Sequence, residues 1–332
     1  MKQFLIILLI VIIHSPLLSQ NNKIINNIDF NGYAQLRGTS NFNDYTSFSV
    51  RRLKLWIKSK PDFPNHWSFK IQTLFSSFTQ EKIILQDVTV GYKTGLFTFN
   101  IGQFVPQFSL QWFQPDFLIP SIERAKAVNI LVPDGTLGVR DIGVQASFKT
   151  KNNLLETHLG VFNGYGIKEY RFKNKGYMIS HKSQLNIPIA NNKLKVGYSL
   201  QYRLAEELQL KFIFPDSINY SGNDFRYNLF AMFTSNYFEV QAEYLNADFD
   251  GKKAYGYYLL AALNLGKNQV VLSWENYIDI IDETIDKPYY RIGYNYLFND
   301  HKLMLSLDNY FQIINNQIEK YSMSIQLQIF IF

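Results

Sequence analysis

The chain has 332 residues, a formal net charge of +6 and no cysteine, so disulfides and thiolate chemistry, catalytic or metal-binding, are excluded. Aromatics reach 16% while charged residues stay at 18%, below the roughly 25% of soluble domains, a balance that suits membrane-interface girdles better than a solvated surface. The basic residues are scattered along the chain, which argues against nucleic acid as a partner.

The N-terminus predicts a cleavable secretory signal over residues 1–19. Lys2 gives the positive start, and Phe4 to Ile13 is an unbroken apolar run of ten residues. Ser15, Ser19 and Gln20 follow, and cleavage is expected after Ser19, with Gln20 as the second choice. A spanning helix would need about 20 apolar residues. No later run is long enough either: Tyr255–Leu265, the best of them, is short and rich in tyrosine. Residues 20–332 are thus expected to form one exported β domain, soluble or in the outer membrane.

From there the dominant period is two. Leu53, Leu55 and Ile57 alternate with Arg52, Lys54, Trp56 and Lys58. Leu194 to Leu204, Phe225 to Phe233 and Tyr290 to Tyr296 alternate in the same way, which places the two sets on opposite faces of a sheet. The pattern predicts sixteen strands at about 28–37, 48–59, 66–76, 83–93, 96–104, 140–149, 154–163, 177–187, 193–204, 224–235, 237–246, 254–265, 269–279, 289–298, 302–313 and 321–332. Short connections fall at 60–65, 94–95, 150–153, 188–192, 236, 266–268 and 299–301, built from Pro, Asn, Gly and Asp. Longer ones intervene at 38–47, 164–176, 205–223, 247–253 and 280–288. Short turns at one end and loops at the other predict an all-β fold, a transmembrane antiparallel β-barrel of about 16 strands. In the last strand Met323, Ile325, Leu327, Ile329 and Ile331 form the apolar phase, and Phe332 falls in the other.

One connection stands apart. Val105 to Val139 is 35 residues long, whereas loops beyond about 12–15 residues usually have a function. Pro106, Phe108, Trp112, Phe113, Pro115, Pro120 and Pro133 predict that it is compact.

Several side chains invite a sharper reading. Arg52, Lys54 and Lys58 share one face, and basic groups on a channel wall attract anions. Glu156, Glu239, Glu243, Glu275 and Asp308 share the inward phase and temper that charge. His158 lies in phase with Glu156, which opens the alternative of a barrel hydrolase, but no serine elbow or His-Glu helix motif accompanies it. No catalytic residue, metal ligand or cofactor is assigned. His66 and His301 are expected in short turns. Trp67 and Trp274 are expected to face outward as girdle anchors, with Trp56 inward and Trp112 on the long connection.

Arg51-Arg52-Leu53-Lys54-Leu55, Gly102-Gln103-Phe104, Pro106, Phe108-Ser109-Leu110, Ile122-Glu123-Arg124 and Arg140-Asp141-Ile142-Gly143-Val144 resemble, in order and spacing, the phosphate-selective porin O and P family. The likeness covers residues 30–150; beyond them only the strand pattern is similar. The resemblance implies a trimeric sixteen-strand barrel whose long loop, 105–139, folds inward as a constriction. It also implies that lumen bases bind anions. By position these are Arg124 and Lys126 on the loop and Arg140 at its foot. On the wall they are Arg37, Arg52, Lys54, Lys58, Lys70, Lys195, Arg203, Arg226 and Arg291. The expected function is passive diffusion of small solutes with a preference for anions, phosphate among them. The expected partners are small anionic solutes, outer-membrane lipid, the barrel assembly machinery and two further copies of the chain. A barrel enzyme using His158 and a plugged structural or surface barrel are the alternatives.

Overall fold

A computed structural model describes residues 28–60, 66–77, 81–132, 139–166, 177–210, 213–215, 217–280 and 288–331. The expected signal over 1–19, Pro133 and Phe332 lie outside the described residues. The first strands are β1 (Ile28–Ser40), β2 (Thr46–Ser59), β3 (Trp67–Ser76), β4 (Lys82–Thr94) and β5 (Phe97–Phe104). A long connection carrying helix α1 (Lys126–Leu131) leads to β6 (Asp141–Lys149), β7 (Leu155–Phe162), β8 (Met178–Ile189), β9 (Asn192–Leu208) and β10 (Tyr220–Thr234). Then follow β11 (Phe238–Phe249), β12 (Lys252–Leu265), β13 (Asn268–Ile278), β14 (Tyr289–Asn299), β15 (Leu303–Ile314) and β16 (Gln317–Phe330). Each strand is antiparallel to the next, and β1 pairs with β16 from Tyr33↔Phe330 to Ser40↔Met323, which closes the barrel.

The two faces are the reverse of those of a soluble sandwich. On β9 Leu200, Tyr202 and Leu204 are exposed while Ser199, Gln201 and Arg203 are buried. On β16 Ile325, Leu327 and Ile329 are exposed while Ser324, Gln326 and Gln328 are buried. An apolar outer wall would cost about 25 cal/mol per Å² in water and costs nothing in lipid. Trp67 and Trp274 are exposed on that outer wall, as their phase predicts. Phe330, in the polar phase of β16, instead stacks on Tyr33 at 5.6 Å, a buried inward residue of β1.

All sixteen expected strands are present, with ends shifted by up to four residues. One expected loop is overturned. Residues 247–253 are mostly strand, because β11 runs to Phe249 and β12 starts at Lys252. Asp250 and Gly251 alone make the turn, with φ of 52° and 91°. Positive φ at both central residues is the type I′ geometry that matches strand twist, and Asp-Gly is its strongest sequence signal. Asn315–Asn316, φ 49° and 61°, close the β15–β16 hairpin in the same way. The end bearing the long loops therefore also carries tight turns.

The interior is polar over most of the wall but not everywhere. At the long-loop end of β9 to β13 the inward phase becomes apolar, through Ala205, Leu208, Leu245, Ala247, Phe249 and Ala254. Phe108, Val128, Leu131 and Val132 of the β5–β6 connection pack against them. That inward apolar set blurs the alternation around 247–253 and accounts for the misplaced loop.

Candidate pore constriction

The β5–β6 connection makes hydrogen bonds to β8, β9, β10, β11, β13, β14, β16, β1 and β2. It first meets β11. Glu243 accepts bonds from the backbone N–H of Leu110 at 2.8 Å and of Gln111 at 2.6 Å, and from the Ser109 hydroxyl at 3.2 Å. The Tyr258 hydroxyl at 2.8 Å and the Asn228 amide at 2.8 Å donate to the same carboxylate. Ser109 adopts a positive φ of 72°, which turns successive N–H groups towards one point, the arrangement that binds an anion. Ser109 also accepts a bond at its carbonyl from the Lys182 ammonium at 2.7 Å. A short 3₁₀ turn, Gln111–Phe113, follows.

The chain then crosses to β1, β2 and β16. Asp116 pairs with Lys54 and with Arg124, accepts from the Tyr33 hydroxyl at 3.1 Å, and lies 3.9 Å from Arg52. Gln328 donates to the Phe117 carbonyl at 3.2 Å, and Asn295 on β14 donates to that of Pro120 at 2.7 Å. Seven residues after Asp116, Glu123 pairs with Arg37 at 2.6 Å, Arg51 at 2.5 Å and Arg52 at 3.2 Å. Successive strand residues normally point to opposite faces. Here a β-bulge skips Arg51 in the pairing of β1 with β2, so both arginines reach Glu123. Burial alone would raise the Glu123 carboxyl, but Arg51, Arg52 and Arg37 outweigh it and hold it well below the usual carboxylate range. Asp116 is likewise held well below that range, with Arg124, Lys54 and Arg52 overcoming its burial. Among the described residues, five basic side chains, Arg37, Arg51, Arg52, Lys54 and Arg124, thus share two carboxylates, a formal excess of three positive charges.

Finally the connection returns to β13 and β14. The first N–H of α1, at Lys126, donates to Glu275, where the helix dipole favours negative charge. The Lys126 ammonium reaches the Tyr289 hydroxyl and lies over its ring. Arg226 donates to the Leu131 carbonyl at 3.0 Å.

The expected basic residues therefore separate into several groups. Arg37, Arg52, Lys54 and Arg124 meet in the cluster around Asp116 and Glu123. Lys70 and Arg140 converge on Asp87, at 2.5 and 2.9 Å. Arg203 and Arg226 share Asp224, both at 2.7 Å, and Arg291 pairs with Asp308 at 2.7 Å. Lys58 is exposed near the short-turn end of β2. Lys195 is on β9, beside Glu156 and Glu239. Arg124 is also committed to its own loop: it bonds the carbonyls of Gln111 at 3.1 Å and Gln114 at 2.9 Å and lies 4.6 Å over the Trp112 ring. Sequence reasoning missed Arg51, Lys182, Asp87 and the two loop acids. Asp116 and Glu123 carry no periodicity, so only the quoted Ile122-Glu123-Arg124 stretch could have pointed to one of them.

His158 is brought together with more than Glu156. Its Nδ1 is 2.8 Å from the Ser147 hydroxyl on β6, and its Nε2 is 3.1 Å from Glu156. Of the two histidines expected in turns, His66 adjoins the start of β3 and His301 lies between β14 and β15.

A family model for phosphate-selective porin O and P matches residues 26–308, and the chain belongs to that family. It is an outer-membrane porin. Among solved structures it is similar to Pseudomonas putida OprB, with a TM-score of 0.69 at 10% identity, covering 92% of this chain and 94% of that one. A loop-deletion form of OmpT from Vibrio cholerae gives a TM-score of 0.67 at 10% identity, covering 91% and 98%. OmpF of Salmonella typhi gives 0.64 at 9%, covering 92% and 98%. No curated protein matches.

Proposed function

We propose that this member of the porin O and P family is a passive channel that prefers small anions, phosphate among them, and that residues 105–139 form its constriction. A segment that bonds to β1, β2, β8, β11, β13, β14 and β16 can reach them all only from inside a closed barrel. One observation carries the anion preference: among the described residues the cluster around Asp116 and Glu123 holds more cations than anions. Where protein walls exclude water those charges act more strongly than in bulk, and an anion exchanges part of its hydration for their donors. Arg140 is near enough for its charge to bear on Lys54, so the cationic field extends to the β6 side. Arg203, Arg226 and Arg291 are nearly matched by Asp224 and Asp308, and in this reading they brace the wall.

The short turns belong on the periplasmic side, the signal over 1–19 is removed after export, and the assembly machinery inserts the chain. Assembly as a homotrimer accords with the trimeric form of Vibrio cholerae OmpT, a structure of TM-score 0.64. In this reading the protein catalyses nothing. Ser147, His158 and Glu156 line up as a nucleophilic serine would need, but β6 pairs on both sides, with β5 and β7. Its N–H groups are held in the ladder, which leaves no backbone donors for an oxyanion. Reversal potentials across a planar bilayer in a KCl gradient test the proposal. Anion-selective potentials that shift when phosphate replaces chloride are expected, and cation-selective ones refute it.

A further inference from the structure

We infer that the solute favoured by this channel is an aromatic organic anion, such as an aryl phosphate or aryl carboxylate, rather than an inorganic ion. The inference rests on the anion-channel reading and adds the chemistry of the rings beside the cationic cluster. Tyr33, Trp56, Phe117 and Phe330 form one group on the lumen side of β1, β2 and β16. Tyr33 lies 5.3 Å from Phe117 and 6.1 Å from Trp56, and Phe117 meets Phe330 edge-on at 4.9 Å. The Trp56 and Phe117 planes are parallel within 2° at 6.5 Å. Trp56, Phe117 and Phe330 remain partly exposed, and the adjacent Leu118 is 44% exposed.

This apolar group is joined directly to the charges. The Tyr33 hydroxyl bonds Asp116, whose partners are Lys54 and Arg124, and Asp116 is the neighbour of Phe117 in the chain. On β2 the inward sequence reads Arg52, Lys54, Trp56, Lys58: cation, cation, ring, cation. An inorganic anion gains nothing from these rings. A neutral sugar could stack on them but would draw little from an excess of charge, and the adjoining carboxylate, Asp116, is occupied by Lys54, Arg124 and Tyr33. A solute with a flat apolar body and one anionic group uses both features, since ring faces stack with rings and Arg or Lys pairs with the anion.

The probes are phenyl phosphate, methyl phosphate and phenol, each added to single channels of the full protein in KCl. Phenyl phosphate is expected to reduce the current at a concentration about tenfold below that of methyl phosphate, as one aromatic stack allows. Phenol is expected to leave the current unchanged. In Trp56→Leu and in Phe117→Leu the advantage of the phenyl ester should fall to less than about threefold. Equal potency of the two esters in the wild-type channel overturns the inference, whether or not the variants assemble. So does block by phenol at the concentration at which phenyl phosphate acts, because charge would then be irrelevant. Reversal potentials in KCl, recorded on the same channels, read anion preference separately. Their failure would strike the proposed function, while their success with equal ester potency would strike this inference alone.

Discussion

The long connection is held at two places by opposite means. Against β9 to β13 it is packed by apolar side chains, and its backbone N–H groups close on two buried acids, Glu243 and Glu275. Against β1 and β2 it is held by ion pairs in which its own acids, Asp116 and Glu123, meet an excess of bases. At the first place the acids are on the wall: Glu243 is surrounded by donors of the loop and of β10 and β12, and Glu275 takes the Lys126 N–H on one oxygen. At the second, four of the bases are on the wall and Arg124 is on the loop itself. Burial of charge is costly unless it is paired, so an excess of like charge persists only where water or a solute can reach it. The first contact gathers backbone donors on acids; the second gathers, among the described residues, more bases than acids.

Breaking the first contact should have the largest effect. Glu243→Ala leaves the Leu110 and Gln111 N–H groups without their acceptor and takes one of two acceptors from Tyr258 and Asn228, which keep Gln241 and the Tyr244 carbonyl. Breaking such a buried charged network costs about 3–5 kcal/mol. Larger and noisier single-channel conductance is the expected result, with a barrel that still migrates as folded in unheated gels. A conductance like that of the wild type would mean that the apolar packing alone holds the loop. Next in size is a change on the opposite face of the cationic side. Leu55 faces outward between Gly32 and Thr73, so Leu55→Arg places a charge on the lipid face, at a cost of roughly 2–4 kcal/mol, and should impair assembly. Its neighbour Lys54 faces the lumen, and Lys54→Gln should assemble normally. Equal assembly yields for the two would contradict the phase of β2.

The two contacts were not equally legible. The barrel could be read because period two, turn residues and strand length act locally and repeat sixteen times. Arg52 and Lys54 were legible for the same reason. Arg51 was not, because a bulge reverses the face of a single residue and leaves the composition of the strand unchanged. Glu243 and Glu275 could be placed in the lumen, but nothing in the sequence says that they meet backbone N–H groups more than a hundred residues away. The apolar inward set at Leu245, Ala247 and Phe249 ran against the assumption that a lumen face is polar, and one loop was misplaced as a result.

The cationic side can be sharpened by smaller changes. Arg51→Gln removes one charge of the excess without uncovering a carboxylate, since Arg37 and Arg52 still hold Glu123. Anion-over-cation permeability from KCl reversal potentials should fall by about threefold, as expected for a charge contribution near 0.6 kcal/mol in a partly wet site. No change would place Arg51 off the solute path. Acidification tests the same contact. Asp116 and Glu123 both titrate below the usual range, so their pairing contributes in full above about pH 4.5 and is lost only as the pH falls through their lowered values. Conductance should therefore be constant from pH 7 to about pH 5 and change only in stronger acid. A transition near neutrality would assign gating to some other group.

The smallest effect is expected on the wall between the two contacts, where Ser147, His158 and Glu156 form a chain of hydrogen bonds. A serine hydrolase needs its nucleophile activated and its oxyanion stabilised, and the second requirement supplies a large part of the rate. Glu156 accepts from Nε2–H, which leaves Nδ1 to accept the Ser147 proton, so the first requirement is met. For the second, Ser147 lies within β6, opposite Thr98 on β5 and His158 on β7, with its backbone committed to both neighbours. Gln145 donates to the Ser147 oxygen at 3.2 Å, and it points at the nucleophile rather than at an incoming carbonyl. Ser147→Ala should leave conductance and ion preference unchanged, and a fluorophosphonate probe should not label the wild-type protein. Labelling that disappears in Ser147→Ala would make this wall a catalytic site and turn the barrel from a channel alone into a channel that also hydrolyses.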